Sequence, residues 1–186
     1  PRTNFDDAKF NELKASIKEK GILQPILVRE KDGGYEVIAG ERRLKAARAL
    51  NLENVPALIK KVTDQEALVI ALIENIQREE LNPIEEAEAY KRLIEEFNFS
   101  HEAVAQNVGK DRSTITNLLR LLKLSNDIQK SIYSGQLSVG HGRALLSLDI
   151  PAERDRIFNL TVKKGLSVRE VENLIKTIVS GGVLQI

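Results

Sequence analysis

Four short stretches of this chain carry side chains able to do chemistry. In "AGERR", residues 39–43, a strand-like run ends at Gly40, and Glu41, Arg42 and Arg43 stand where a helix begins. A helix start bears partial positive charge and outward-pointing N–H groups, so arginines there are unfavourable by about a few tenths of a kcal/mol unless an anion joins them. Strand, glycine and helix start together make a phosphate cradle: backbone close enough to touch the anion, N–H groups to donate, and guanidinium charge. The residues alone leave open the alternative that Arg42 and Arg43 pair with acidic helices downstream, and the spacing of a P-loop is absent. In "LIENIQRE", residues 72–79, Glu74 and Asn75 are neighbouring oxygen donors, a set that suits Mg²⁺ with phosphate oxygens and water completing its shell. Arg78, one turn on, could reach a phosphate or simply pair with Glu74 as helix-surface residues do.

The third stretch is "GKDRSTITNLLRLLKL", residues 109–124, where Lys110, Arg112, Ser113, Thr114, Thr116 and Asn117 offer donors and acceptors suited to base edges and phosphates. An ordinary helical hairpin with a solvated polar face is the alternative. The fourth is "GHGRALL", residues 140–146, which sets Gly140, His141 and Arg143 at a helix start. A lone histidine is usually structural, but N–H groups beside Arg143 would suit a phosphate.

These groups need elements to hold them. "DDAKFNELKASIKEK", residues 6–20, places Phe10, Leu13 and Ile17 on one helix face, with Gly21 as the stop. "PILVRE" and "YEVIAG" are short β-branched runs around the turn "KDGG", a hairpin pattern, and "VPALIKKV" is a further strand after the helix at 41–50. Everything after Thr63 has helical periodicity. Asp64 is expected to cap a helix to about Arg78, and Asn82 with Pro83 to open another to about Phe97. Ser100 then caps a short helix carrying Val104, Ala105 and Val108, Gly109 turns, and a second helix from Arg112 points Ile115, Leu118, Leu119 and Leu122 inward. That is helix-turn-helix spacing. Further helices near 125–134, 138–148, 151–163 and 167–179 follow, with caps at Ser138 and Ser167.

The chain has 186 residues, 42% of them hydrophobic, enough for two small cores. It has no cysteine, which removes disulfides, zinc ribbons and thiol nucleophiles. It has no methionine and starts at Pro1, so it is expected to be a piece of a longer protein. No apolar run approaches the roughly 18 residues of a membrane span, and a cytoplasmic protein without a membrane partner is expected. The net charge of +1 conceals a regional split. Acids dominate from Asp64 to Glu96, whereas Lys110, Arg112, Arg120, Lys123, Lys130 and Arg143 build a basic stretch, the footprint of a nucleic-acid face.

Taken in order, "SIKEKGILQPILV", "AGERRLKAARAL", "LIENIQREELNPIEEAEAY", "GKDRSTITNLLRLLKL" and "GHGRALL" resemble the ParB family of chromosome and plasmid partition proteins over nearly the whole chain. The resemblance implies an α+β nucleotide-binding domain of the ParB/sulfiredoxin-like type at 1–62, connecting helices at 63–98 that complete the nucleotide site, and a helical DNA-binding domain with a helix-turn-helix at 99–186. It implies a CTP-dependent clamp that loads on a centromere-like double-stranded site, parS, slides away and hydrolyses CTP slowly while associated with the nucleoid. By that analogy Gly40, Glu41, Arg42, Arg43 and Arg78 hold phosphates, Gln24 and Pro25 of "GILQP" help form the nucleotide pocket, and Glu74 and Asn75 hold Mg²⁺, with Glu74 as the catalytic group. It also implies self-association through the N-terminal domain and, in a full-length protein, a ParA-type ATPase partner. The tail that engages that ATPase and the C-terminal dimerisation domain are not evident here. Arg112 and Gly140 resemble the partition branch more than the related nucleoid occlusion branch. A sulfiredoxin-like enzyme would need a cysteine, and a plain helix-turn-helix regulator is the remaining rival.

Overall fold

The computed structural model describes residues 2–77 and 81–180, the side chains of 2–7 excepted, and the chain divides after Asn75 into two compact units. The first unit is α+β. Helix α1 (Arg2–Lys20) begins before the expected Asp6 and ends at Gly21, whose φ of 71° lets its N–H return to the Ile17 carbonyl at 2.9 Å. Strands β1 (Ile26–Lys31) and β2 (Gly34–Ala39) form an antiparallel hairpin through Asp32 and Gly33, both at positive φ as a tight two-residue turn requires. Helix α2 (Glu41–Ala49) then crosses to β3 (Ala57–Ile59), which pairs parallel with β1 to give the sheet order β2-β1-β3. The expected third strand is thus only three residues long.

Ile17 of α1, Ile26 and Val28 of β1, Ile38 of β2 and Ala46 and Ala47 of α2 are buried, and α1 packs on α2. Small alanines on the inner face of α2 let the helix lie close to its neighbours. Helix α3 (Asp64–Ile76) follows. Its cap is Thr63 rather than the expected Asp64: Thr63 N–H donates to Glu66 at 2.8 Å and Glu66 N–H returns to the Thr63 hydroxyl at 3.2 Å. This reciprocal box frees the Asp64 carboxylate, which pairs instead with Arg29.

The second unit is helical: α4 (Pro83–Glu95), α5 (His101–Val108), α6 (Arg112–Leu121), α7 (Asn126–Tyr133), α8 (Val139–Leu145), α9 (Pro151–Lys164) and α10 (Val168–Val179). Local chemistry sets the starts. Asn82 and Glu85 form a capping box with Pro83 at the first position, Ser100 accepts from Ala103 N–H, and Ser138 and Ser167 cap as expected. Helix α4 packs against α5, α6 and α7, so α4 belongs with the helix-turn-helix while α3 up to Asn75 belongs with the sheet. The core runs through Tyr90, Leu93, Val104, Ile115, Leu121, Ile128, Leu145, Ile157 and Val171. The inward stripe of α6 is Ile115, Leu118 and Leu121; Leu119 and Leu122 are only half-buried, a shift of one residue from the expected stripe.

Candidate functional sites

The first site is the start of α2. Gly40 is its N-cap at φ 95°, ψ 24°, and no side chain caps the helix. The helix's own bonding begins with Leu44 N–H to the Gly40 carbonyl, 3.1 Å, which leaves the first-turn N–H groups as an anion-facing set. Two constraints require glycine at position 40. The backbone is left-handed, and a Cβ would stand 3.0 Å from Ile26 Cγ2 and 3.2 Å from Arg43 Nη2.

Arg43 folds back beneath Gly40. Its Nη1 donates to the carbonyls of Gln24 at 2.6 Å and Pro25 at 2.8 Å. The guanidinium therefore braces the 21–25 loop against the start of α2 while keeping its charge at the cradle. Glu41 is exposed and pairs with Lys45 along the helix, and Arg42 is half-buried. Glu74 and Asn75 stand in the last turn of α3, half-buried and exposed respectively. Arg78 lies outside the described residues.

Arg29, on β1, is the electrostatic hub of this unit. With a side chain only 7% exposed, it pairs with Glu36 on β2 and with Asp64, the first residue of α3. Its guanidinium hydrogen bonds hold the Glu36 and Asp64 carboxyls below their ordinary values. It opens the charged end of β1 with Glu30 and Lys31, and only the fold buries Arg29 while leaving those two exposed.

The second site is the outer face of α6. Gly109, at φ 69°, turns the chain between α5 and α6, and Ala105 is buried where the two helices pack. Arg112 and Ser113 are exposed, while Thr114 and Asn117 are half-buried. Two expected DNA contacts have other engagements. Lys110 pairs with Glu86, which also accepts from the buried Tyr90 hydroxyl. Burial, with this acceptor second, pushes the Tyr90 phenol up. Thr116 turns its hydroxyl to the Arg112 carbonyl and to His101.

In "GHGR" the glycines serve packing. A Cβ on Gly140 would come within 3.0 Å of Val168 Cγ2, and one on Gly142 within 2.7 Å of Leu121 Cδ2. His141 is structural in its geometry: Nδ1 accepts from Ser138 N–H at 3.1 Å, which leaves Nε2 to donate to the Leu166 carbonyl at 3.0 Å. Arg143 is exposed, and with Asn117, Arg120, Lys176 and one acid, Glu172, it lines a groove of about 830 Å³ whose cations outnumber its carboxylates. Sequence reasoning missed Arg120 and Lys176 as candidate site residues. Arg120 was visible as part of the basic stretch, and Lys176 carried no local signal.

Residues 1–76 match the family model described as the ParB N-terminal domain, and residues 79–180 match that of the ParB HTH domain. The chain belongs to the ParB family. It is 50% identical over 182 residues to the chromosome-partitioning protein ParB of Myxococcus xanthus, covering 98% of this chain and 62% of that protein. It is 48% identical over 177 residues to a nucleoid occlusion protein of Bacillus licheniformis, covering 94% of this chain and 62% of the relative. Among solved structures, a C-terminally truncated ParB of Caulobacter crescentus complexed to the centromeric parS site superposes with TM-score 0.81 at 39% identity, covering 91% of this chain and 88% of that one. The chain spans about three fifths of the length of the curated ParB relatives it matches. The α+β unit followed by a helical helix-turn-helix unit is the ParB architecture expected from the sequence.

Proposed function

We propose that this chain is the nucleotide- and DNA-binding part of a partition protein that reads a parS-like duplex and uses CTP as a switch. The observation that carries the reading is the pairing of two preorganised sites in one chain: an uncapped helix start at a left-handed glycine, and a basic groove beside the outer face of α6. On α6, Arg112, Ser113, Thr114 and Asn117 meet base edges and phosphates, and Arg120, Arg143 and Lys176 flank them with charge for the backbone. The likeness to a parS-bound relative supports this side of the reading.

In the first unit, the cradle at Gly40 fits a triphosphate because the left-handed glycine opens a helix start whose first-turn N–H groups lack a side-chain cap, with the Arg43 guanidinium beside it. Arg42 and Arg43 supply charge, Gln24 and Pro25 shape the adjoining pocket wall, and Arg78 would add a further cation. One carboxylate and one amide oxygen, from Glu74 and Asn75, fit Mg²⁺. Bound there, the metal would neutralise phosphate charge. Glu74 is the group on which slow hydrolysis depends. The choice of cytosine rests on family resemblance. CTP and parS then select an arrangement in which two copies associate through the N-terminal domain and the adjoining helices, and a ParA-type ATPase engages the full-length protein.

Two rivals remain concrete. A nucleoid occlusion protein would share the cradle and read a different duplex, and the similarity to the Bacillus relative keeps it in play. A plain helix-turn-helix regulator would bind DNA and no nucleotide. Calorimetric titration of the chain with CTP and Mg²⁺, beside ATP, tests the switch, and heat from CTP alone is expected. No CTP binding would leave the plain regulator, whereas CTP binding without parS preference would favour the occlusion branch.

A further inference from the structure

His101 Nδ1 lies 3.1 Å from Thr116 Oγ1, and that same hydroxyl donates to the Arg112 carbonyl at 3.0 Å. A threonine hydroxyl has one proton, and a carbonyl oxygen has none to give. The bond to Arg112 therefore consumes the hydroxyl proton, and the contact with His101 must run the other way, with Nδ1–H donating to Oγ1. The three groups form a directed relay from the first residue of α5 to the first residue of α6.

That relay supplies something the core contact between the helices lacks. Val104 and Ala105 of α5 and Ile115 and Leu118 of α6 are buried, and apolar packing sets a separation while tolerating small rotations. A hydrogen bond weakens steeply with angle, so the His101 link resists rotation of α6 about its own axis. A threonine bonded back to the carbonyl four residues earlier also shapes its turn of helix. Arg112 and Ser113 sit in that turn.

We infer that His101, acting through Thr116, is a positioning residue that sets the rotation of α6 and hence the register in which Arg112 and Ser113 meet DNA. The inference rests on α6 being the DNA-reading helix. It gives Thr116 a role one step behind the interface, with its hydroxyl turned inward, in place of a direct DNA contact.

Substitutions chosen by atom position test it. His101→Asn puts an amide nitrogen where Nδ1 stands and retains the donor, whereas His101→Gln places it at the Nε2 position. Thr116→Val keeps the shape without the hydroxyl, and Thr116→Ser restores it. Affinities for a parS duplex and a scrambled duplex are measured at one salt concentration, with melting temperatures alongside. His101→Gln and Thr116→Val are expected to lower the parS-to-scrambled ratio by about three- to tenfold, the range of a net hydrogen-bond contribution, with scrambled-DNA affinity unchanged. Their combination should be no worse than either alone, and His101→Asn and Thr116→Ser should stay within about twofold of the parent. Wild-type ratios in His101→Gln and Thr116→Val, additive losses, or lowered melting with an unchanged ratio would each overturn the positioning role. Arg112→Ala is the control that separates the two levels. Undiminished parS binding there would remove α6 as the reader, and with it both readings, whereas a loss there beside intact His101 and Thr116 variants would sink the inference alone.

Discussion

Arg43 Nη1 donates to the backbone carbonyl of Gln24 at 2.6 Å, across 19 positions of sequence. With a second bond to Pro25, one side chain ties the loop of the proposed pocket to the helix start of the proposed cradle. Arg43→Ala should therefore weaken CTP binding by roughly 1–3 kcal/mol and also lower the melting temperature of the first unit, with parS binding by the second unit intact. Arg43→Lys keeps the charge but loses the two-carbonyl fork. Calorimetry with CTP and thermal unfolding by circular dichroism separate these effects. Lost CTP binding with unaltered melting would return Arg43 to a purely phosphate-facing role.

Arg29 makes acid stability a readable quantity. Because it holds Glu36 and Asp64 below their ordinary values, their stabilisation is complete above the unfolded-state carboxylate value of about 4 and is lost as pH falls below that through the folded-state values. Asp64→Asn removes one of these titrations while keeping an acceptor for Arg29. The urea midpoint of the variant should fall less steeply than that of the parent on acidification from neutral pH. Parallel acid limbs in the two proteins would show that the Arg29 network does not govern α3.

Gly142 is a packing glycine. An added Cβ would lie 2.7 Å from Leu121 Cδ2 and 2.9 Å from Ile132 Cδ1, both on buried residues. These are side-chain ends, so some relaxation is available, and Gly142→Ala should cost about 1–3 kcal/mol of second-unit stability. CTP binding should be unaffected. A variant as stable as the parent in chemical unfolding would mean that α6 and α7 reseat without penalty.

Glu74 has two candidate jobs, metal ligand and surface partner of Arg78. Glu74→Gln preserves size and removes charge. As a ligand of Mg²⁺ it should retain CTP binding with altered metal dependence while turnover falls at least about tenfold, or about 1.4 kcal/mol of barrier. A phosphate-release assay with parS present reads the difference. Parent-level turnover would take Glu74 out of the site and leave Asn75 and the arginines to hold the nucleotide.

How much was legible depended on distance along the chain. Ser100, Ser138, Ser167 and the Asn82–Pro83 start could be read because a cap and the groups it serves lie within about a turn, where helix geometry alone brings them together; the return bond from Glu85 came only with the structure. Gly21, Gly40 and Gly109 could be read because only a residue without Cβ adopts positive φ at no cost. The cap at Thr63 was missed because Asp64 is as good a cap by type, and only the sheet-borne Arg29 draws that carboxylate away.

By itself, then, the sequence determined the order of elements, the two-unit architecture and the identity of the polar face of α6, since propensity, capping and hydrophobic period act within a few residues. Tertiary structure alone decided which polar groups meet. Arg43 found Gln24, Lys110 found Glu86, His141 found the Leu166 carbonyl, and His101 found Thr116. A hydrogen bond demands placement to within a few tenths of an ångström, and for residues this far apart that placement is set by how whole helices and strands pack, which no local pattern encodes.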